Sequence, residues 1–195
     1  VDEGANAGQS VSIAVIDSGI DYYMDEWGNI HYHPDLADNV AGGKGCMHDW
    51  YCNVDIVNDH EDRWGHGTHV SGIIAAVDNE IGVIGTAPKT KIYVLRLFTW
   101  DYEEVEEAIN YAANNLRAKT IVMSLESDEN DTDVFNACKN AYQNGALLFA
   151  AAGNNNSSIS YPAKYDYVIA VGAVDTNGQR WVNPATREGS NFGPE

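Results

Sequence analysis

The segment VSIAVIDSG, residues 11–19, places a run of β-branched and small apolar residues directly before an aspartate and a turn. A short continuous apolar run that ends in Ser-Gly predicts a strand that is buried on both faces, as in parallel sheets. Four further runs share this composition: Ile92–Leu97, Thr120–Met123, Ala146–Ala151 and Val168–Val174. Together with Val11–Ile16, they predict the strands of one parallel sheet.

Segments of helical length lie between the apolar runs. Tyr102–Leu116 begins with acidic residues, which the helix dipole favours, and Asp133–Gln143 ends at Asn144-Gly145, a common helix stop. A third segment, Thr68–Val77, is small and apolar, which suits a helix packed in the core. Strands and helices in alternation predict an α/β fold, an open parallel sheet flanked by helices on both faces. Residues 21–64 lack this pattern and are expected to form a long functional or ligand-stabilised loop.

The composition is that of a folded globular protein with a strongly acidic surface. The 195 residues include 29 acidic and 11 basic side chains, which gives a net charge of −18, and 44% of the residues are hydrophobic. Because this charge repels phosphate backbones and anionic lipid, neither nucleic acid nor a membrane is expected as a partner. The charge favours cation binding, although an acidic surface that only confers solubility would also explain it.

The chain contains three cysteines, so at least one has no partner within the chain. Cys46 and Cys52 are close enough in sequence to close a small disulfide, which would indicate an oxidising compartment. Two ordinary thiols are the alternative. Cys138 lies in a helix-like pattern and is expected to be a buried thiol.

Three polar residues stand where an apolar run ends or a helix begins. Asp17 and Asn154 follow apolar runs, and His66 lies between Gly65 and Gly67 ahead of the small-residue helix. The carboxyl ends of parallel strands share one sheet edge, where ligands and active sites collect. An asparagine amide at such an edge can donate to a developing oxyanion. Each residue also has an ordinary alternative: a turn or helix cap for Asp17, a structural role for His66 and a turn for Asn154.

The motifs around these residues occur in one order along nearly the whole chain. They are Val15–Gly19, His66–Val70, Asn79–Pro88, Met123–Leu125, Ala151–Asn154 and Tyr161–Ala163. In these motifs the chain resembles the subtilisin-like serine proteases, the subtilases. The resemblance implies that Asp17 orients His66 and that Asn154 binds the oxyanion. It implies that His66 is the general base toward a serine and then the general acid toward the leaving amine. It also implies a polypeptide substrate, no organic cofactor, a propeptide as a possible partner and an extracellular location.

The same resemblance places a substrate cleft along the strand that follows residue 123. Its expected substrate-binding residues are Ser124, Leu125, Glu126, Gly153 and Ser160. The family usually has two glycines after Leu125, whereas this chain has Glu126 and Ser127. The departure predicts a narrower cleft, or a preference for basic or neutral partners over acidic ones. Ser160 is expected near the floor of the primary pocket.

A structural Ca²⁺ is also implied by the resemblance. His33–Leu36 is similar to the family segment that carries a calcium carboxylate, and Val77–Val83 is similar to the calcium loop after the histidine helix. Hard oxygen ligands suit Ca²⁺. The expected ligands are the side chains of Asp35 and Asn79 and the carbonyl oxygens of Val77, Ile81 and Val83. For the acidic stretch 55–62, a second cation site and a solvated loop are both open.

The family's nucleophilic serine stands in a Gly-Thr-Ser-Met-Ala motif, which these 195 residues do not contain. The first interpretation is a partial catalytic domain over residues 1–195, incomplete at its C-terminal side, whose serine belongs to a segment outside this chain. The chain alone would then be inactive, and the remaining C-terminal segment would be its partner. The second interpretation is a pseudoprotease that binds peptides or inhibitors. The third is a calcium-binding structural module.

Overall fold

The computed structural model describes residues 7–46 and 59–193. The strands of this part of the chain are β1 (Ser12–Asp17), β2 (Tyr22–Met24), β3 (Ile30–Tyr32), β4 (Val40–Cys46), β5 (Lys91–Leu97), β6 (Thr120–Met123), β7 (Leu147–Ala151) and β8 (Val168–Val171). Its helices are α1 (His66–Ala75), α2 (Tyr102–Asn114) and α3 (Thr132–Gln143).

Six strands form one parallel sheet in the order β4-β5-β1-β6-β7-β8, and β2 pairs with β3 as an antiparallel hairpin. The chain enters at the central strand β1, builds one side through β4 and β5, and crosses over to build the other through β6 to β8. The strand order therefore reverses at β1, and the crevice at its carboxyl end is where ligands bind in open α/β sheets. The predicted α/β class is confirmed, and all five predicted strands lie in this sheet.

Helices lie on both faces of the sheet, as predicted. α2 and α3 pack on one face, where the larger core forms around residues such as Ile109, Ile121 and Leu148. α1 packs on the other face against β1 and β5. Asp101 and Asp131 cap α2 and α3 by accepting hydrogen bonds from backbone N–H groups of their first turns.

The α1 side of β7 and β8 presents apolar side chains that no described element covers, whereas Val122 of β6 packs against the smaller core on that side. Leu148 and Ala150 of β7 face the α2–α3 core, so the alternation of a strand puts Phe149 on the opposite side. On the same side, Ile169 and Val171 of β8 are half-exposed. Two of the six strands therefore carry an open apolar face within the part of the chain that the structure describes.

The expectation of a long loop over residues 21–64 is wrong in part. The β2–β3 hairpin and the edge strand β4 both lie inside this range. β4 has the sequence VAGGKGC, and its three glycines give the composition of a loop. They are needed because the chain passes closely over other groups: a Cβ at Gly43 would lie 2.2 Å from the His60 ring.

The structure describes two of the three cysteines, one in α3 and one at the end of β4. Cys138 is fully buried in α3, as expected, and burial raises its pKa to about 12. Cys46 ends β4 as a buried free thiol, and burial raises its pKa to about 12. Cys52 lies outside the described residues, but a free Cys46 contradicts the predicted disulfide and agrees with the alternative of ordinary thiols. No helix in residues 7–46 and 59–193 has the length and apolar character that crossing a membrane requires.

Candidate active site

The end of β1 and the start of α1 bring Asp17 and His66 together. Asp17 is the last residue of β1 and is 0% exposed, whereas the side chain of His66, the first residue of α1, is 39% exposed. His66 Nδ1 lies 2.7 Å from Asp17 Oδ1. A carboxylate oxygen only accepts here, so Nδ1 carries the proton and the neutral ring has its lone pair on Nε2.

Two glycines let the strand end and the helix start approach so closely. A Cβ at Gly67 would lie 2.3 Å from the carbonyl oxygen of Gly19 and 3.1 Å from Asp17 Oδ1. Gly19 has φ of +116°, and a Cβ there would lie 2.7 Å from the carbonyl oxygen of His60. A side chain at Gly67 would push α1 away from β1, and one at Gly19 would displace residues 60–62, which lead into α1.

Asp62 holds the N-terminus of α1, which has no side-chain cap from Gly65, the residue before the helix. Its Oδ1 accepts hydrogen bonds from Ser18 Oγ and the N–H groups of Trp64 and Gly65, and its Oδ2 accepts from the N–H and Oγ1 of Thr68. Burial alone would raise the pKa of Asp62, but these hydrogen bonds lower it to about 2. The charged carboxylate therefore fixes the turn that presents His66.

Aromatic side chains stand beside the histidine. The Trp64 ring, 71% exposed, stacks on the His66 ring with centroids 5.4 Å apart, and it meets the Trp100 ring edge-on at 5.8 Å. Trp100 belongs to the loop after β5, which buried Glu104 holds by accepting hydrogen bonds from three consecutive backbone N–H groups, those of residues 98–100. The Trp64 ring thus lies against one face of the His66 imidazole.

The ends of β6 and β7 supply a second group of polar atoms next to each other. Asn154 follows β7 and is exposed, and its side-chain amide has no hydrogen bond to the described residues. Its backbone N–H donates to Glu126 Oε1 at 3.3 Å, and Ser160 Oγ donates to Glu126 Oε2 at 3.1 Å. Gly153, with φ of +106°, lets this carboxylate pass, since a Cβ there would lie 2.1 Å from Oε2.

The remaining predicted cleft residues line the same edge. Ser124 and Leu125 follow β6 directly and are partly buried, and Leu125 packs against the larger core. Beyond Leu125 lies a small cleft of about 60 Å³, whose walls include Trp100, Tyr102 and Val105. Predicted cleft residues Ser124, Leu125, Glu126, Gly153 and Ser160 thus lie at the carboxyl ends of β6 and β7.

No serine is positioned as a partner of His66 within the described residues. The one hydrogen bond of the His66 ring there is to Asp17. The Ser18 hydroxyl is engaged by Asp62 and Gly67 N–H, and the Ser160 hydroxyl by Glu126 and Asn191. The site therefore offers a base, its orienting carboxylate and an amide donor.

The predicted calcium segments also come together. Asp35 is buried, its Oδ2 accepts from Val83 N–H at 3.0 Å, and its backbone carbonyl accepts from Val77 N–H at 2.8 Å. Asp35 Oδ1 is buried with no hydrogen-bond partner in the described part of the chain. Asn79 Oδ1 accepts from Ile81 N–H. A buried carboxylate oxygen without a partner, next to the loop of residues 77–83, fits a hard cation, which prefers oxygen ligands. No group of three or more His, Cys, Asp or Glu residues suited to a metal occurs in the described residues, so any ion would depend on backbone oxygens.

Several residues of this site were missed in the sequence. Asp62 stands just ahead of a helix with Thr68 in its first turn, a capping pattern that would have indicated it. An exposed tryptophan two residues before a glycine-flanked histidine would have indicated Trp64. The role of Glu104 could not be recognised in the sequence, because the helix dipole is already a sufficient reason for an acidic residue in the first turn of α2.

Comparison with known proteins agrees with this arrangement. The model of the Subtilase family (Peptidase_S8) matches residues 8–195. The Major intracellular serine protease of Bacillus subtilis (strain 168) is 35% identical over 178 residues, which are 86% of this chain and 52% of that protein.

Two further relatives extend the comparison. Subtilisin E of Bacillus subtilis (strain 168) is 38% identical over 186 residues, 89% of this chain and 43% of that protein. The Thermophilic serine proteinase of Bacillus sp. (strain AK1) is 40% identical over 169 residues, 84% of this chain and 38% of that protein. The chain spans about half the length of the relatives it matches. With a family match over nearly all of its residues, the chain belongs to the subtilase family.

Proposed function

We propose that this chain supplies the base, the orienting acid and an oxyanion donor of a serine endopeptidase. The observation that carries the proposal is the hydrogen bond of 2.7 Å between His66 Nδ1 and the fully buried Asp17. A buried carboxylate that accepts the Nδ1 proton fixes the ring and its tautomer, which leaves Nε2 as a base facing the cleft.

In the proposed reaction, His66 Nε2 takes the proton of a serine hydroxyl while the serine oxygen bonds to the carbonyl carbon of the substrate. Asp17 stabilises the imidazolium that forms, and the Asn154 side-chain amide donates to the developing oxyanion. His66 then gives the proton to the amine nitrogen as the peptide C–N bond breaks. Water, deprotonated by the same nitrogen, hydrolyses the serine ester.

The serine in this proposal comes from a polypeptide segment other than the described residues. Two observations support it. No described serine hydroxyl reaches His66, and no described element covers the apolar α1 side of β7 and β8, with Phe149, Ile169 and Val171. A segment packed on that face would reach the edge where His66 and Asn154 lie, because this face adjoins α1. Residues 7–193 alone are then inactive.

The proposal includes one Ca²⁺, with a stabilising role away from the chemistry. Asp35 and the loop of residues 77–83 would hold it, with the Asn79 side chain and the carbonyl oxygens of Val77, Ile81 and Val83 as further ligands. The buried Asp35 Oδ1 supports this assignment, since a cation would remove the cost of leaving that oxygen unpaired. An extracellular location stays a prediction, and one relative is named as an intracellular protease.

The test is turnover of an unstructured protein substrate by the complete polypeptide that contains this chain. We expect His66→Ala and Asp17→Asn each to lower kcat by about 10⁴-fold or more. His69→Gln is the matched control, because His69 is exposed in the same helix and its substitution should leave kcat unchanged. Turnover that survives both substitutions, or peptide binding without any turnover, would contradict the proposal.

A further inference from the structure

We propose that Glu126 makes the primary pocket selective for a lysine or arginine side chain immediately before the cleaved bond. This inference rests on the proposed endopeptidase function and names the substrate class of that site.

The carboxylate of Glu126 lies where the substrate side chain next to the scissile carbonyl would go. A carbonyl oxygen bound by the Asn154 amide places its neighbouring Cα within a few ångströms of Gly153 and Asn154. Glu126 Oε1 is 3.3 Å from the backbone nitrogen of Asn154, and Oε2 would be 2.1 Å from a Cβ at Gly153. The side chain borne on that substrate Cα therefore meets the Glu126 carboxylate.

Buried neighbours hold this carboxylate in place. Asn191 Nδ2 donates to Ser160 Oγ at 3.0 Å, and Ser160 Oγ donates to Glu126 Oε2 at 3.1 Å. Ser160 and Asn191 are both buried, and Asn191 Oδ1 also accepts from the backbone N–H of Ser157. A chain of three side chains thus fixes the carboxylate across the ends of β6 and β7, so it is preorganised for a partner.

The negative charge of Glu126 has no counter-ion in the described part of the chain. Its hydrogen bonds there come from one backbone amide and one hydroxyl, and it forms no ion pair. A lysine ammonium or arginine guanidinium would supply the missing charge and donate to the free lone pairs of both oxygens. An apolar side chain would cover the carboxylate without pairing it, and an acidic one would be repelled.

The charge of the whole molecule acts in the same direction. A net charge of −18 attracts cationic peptides over distances longer than the pocket. That attraction raises the rate of association for any basic peptide and weakens with salt, whereas the pairing with Glu126 discriminates at one substrate position. The experiment must therefore change the charge of that substrate position alone.

The test uses the complete polypeptide and fluorogenic peptides that are identical except at the residue before the cleaved bond. Arginine is compared with citrulline, its uncharged isostere, and with phenylalanine and glutamate. We expect kcat/KM for arginine to exceed that for citrulline by about 10- to 100-fold, as one charge-assisted hydrogen-bonded pair supplies. Each ratio is measured on one preparation, so it does not depend on the fraction of folded enzyme.

Substitution of Glu126 tests whether this residue causes the preference for arginine over citrulline. Glu126→Gln should bring the ratio of arginine to citrulline close to 1 and raise kcat/KM for the phenylalanine peptide relative to arginine. Glu26→Gln removes the same charge from the exposed turn between β2 and β3 and should leave the ratio unchanged.

Different failures have different meanings. Equal cleavage of the arginine and citrulline peptides would overturn this inference while the proposed function stands. A ratio that persists in Glu126→Gln would remove Glu126 as its cause. Absence of cleavage of every peptide would overturn both the inference and the proposed function.

Discussion

A methyl group at Gly67 has no space in the contact between α1 and β1. An alanine Cβ would lie 2.3 Å from the carbonyl oxygen of Gly19, so α1 would have to move about 1 Å to restore an ordinary contact. The same movement would lengthen the hydrogen bond between His66 and Asp17. Gly72 lies on the same helix, and a Cβ there would meet nothing within 4 Å.

The two positions give opposite expectations for one chemical change. Gly67→Ala should lower the free energy of unfolding by about 2–3 kcal/mol, since backbone cannot yield and overpacking of this kind costs about 1–3 kcal/mol before the broken hydrogen bond is counted. Gly72→Ala should raise it by about 0.5–1 kcal/mol, because alanine has the higher helix propensity. Urea unfolding at pH 7 measures both variants against the parent.

The two substitutions should change the free energy of unfolding in opposite directions, and this contrast tests the packing of α1 on β1. Free energies of unfolding within 0.5 kcal/mol of each other for Gly67→Ala and Gly72→Ala would refute the claim that close packing of α1 on β1 positions His66. A stable Gly67→Ala protein with undiminished turnover would refute it as well.

Three further predictions concern the groups around the site. The pKa of Asp62 is about 2 in the folded protein, against 3.8 as its ordinary value, so the charged carboxylate stabilises the fold above pH 4 and this stabilisation is lost as the pH falls through 2. Asp62→Asn should therefore remove about 1 kcal/mol of pH-dependent free energy of unfolding, a value that allows for solvent screening. Urea unfolding between pH 2 and 6 measures this loss. Glu104→Ala should cost about 3 kcal/mol in urea unfolding, because three backbone N–H groups lose their acceptor, the buried Glu104 carboxylate. Substitution of the exposed Glu103 by alanine should change the free energy of unfolding by no more than about 0.5 kcal/mol. Equal costs for the two substitutions would contradict this role of Glu104. Removal of Ca²⁺ with a chelator should lower the Tm of the parent protein and of the control Asp38→Asn by about 5–10 °C, but should not lower the Tm of Asp35→Asn. Thermal unfolding measures these shifts. A parent Tm that is the same with and without the chelator would contradict a calcium site.

The sheet was predictable because its strands carry a local signal. The apolar runs that became β1, β5, β6, β7 and β8 are buried on one or both faces, and burial on both faces gives a continuous apolar run rather than alternation. Polar residues directly after such runs, Asp17 and Asn154, could be placed at one edge from topology alone. The approach of Asp17 to His66 depends on Gly67, directly after the histidine, where a Cβ would meet Gly19 and Asp17.

The features that escaped prediction depend on contacts between distant segments. β4 has the composition of a loop because its glycines make room for His60 and Phe98, which only the fold brings near. Which way the Glu126 side chain turns depends on the donors at Asn154 and Ser160, 28 and 34 residues further along the chain. Local sequence carries no trace of such pairs.

The most direct test of the central claim is to find the residue that becomes covalently labelled by a fluorophosphonate, a reagent that reacts with activated serines. The complete polypeptide is treated, digested and mapped by mass spectrometry, with His66→Ala as the comparison. The account predicts one labelled serine outside residues 7–193, and no label in His66→Ala. A label on a serine within residues 7–193, or labelling that does not need His66, would contradict it.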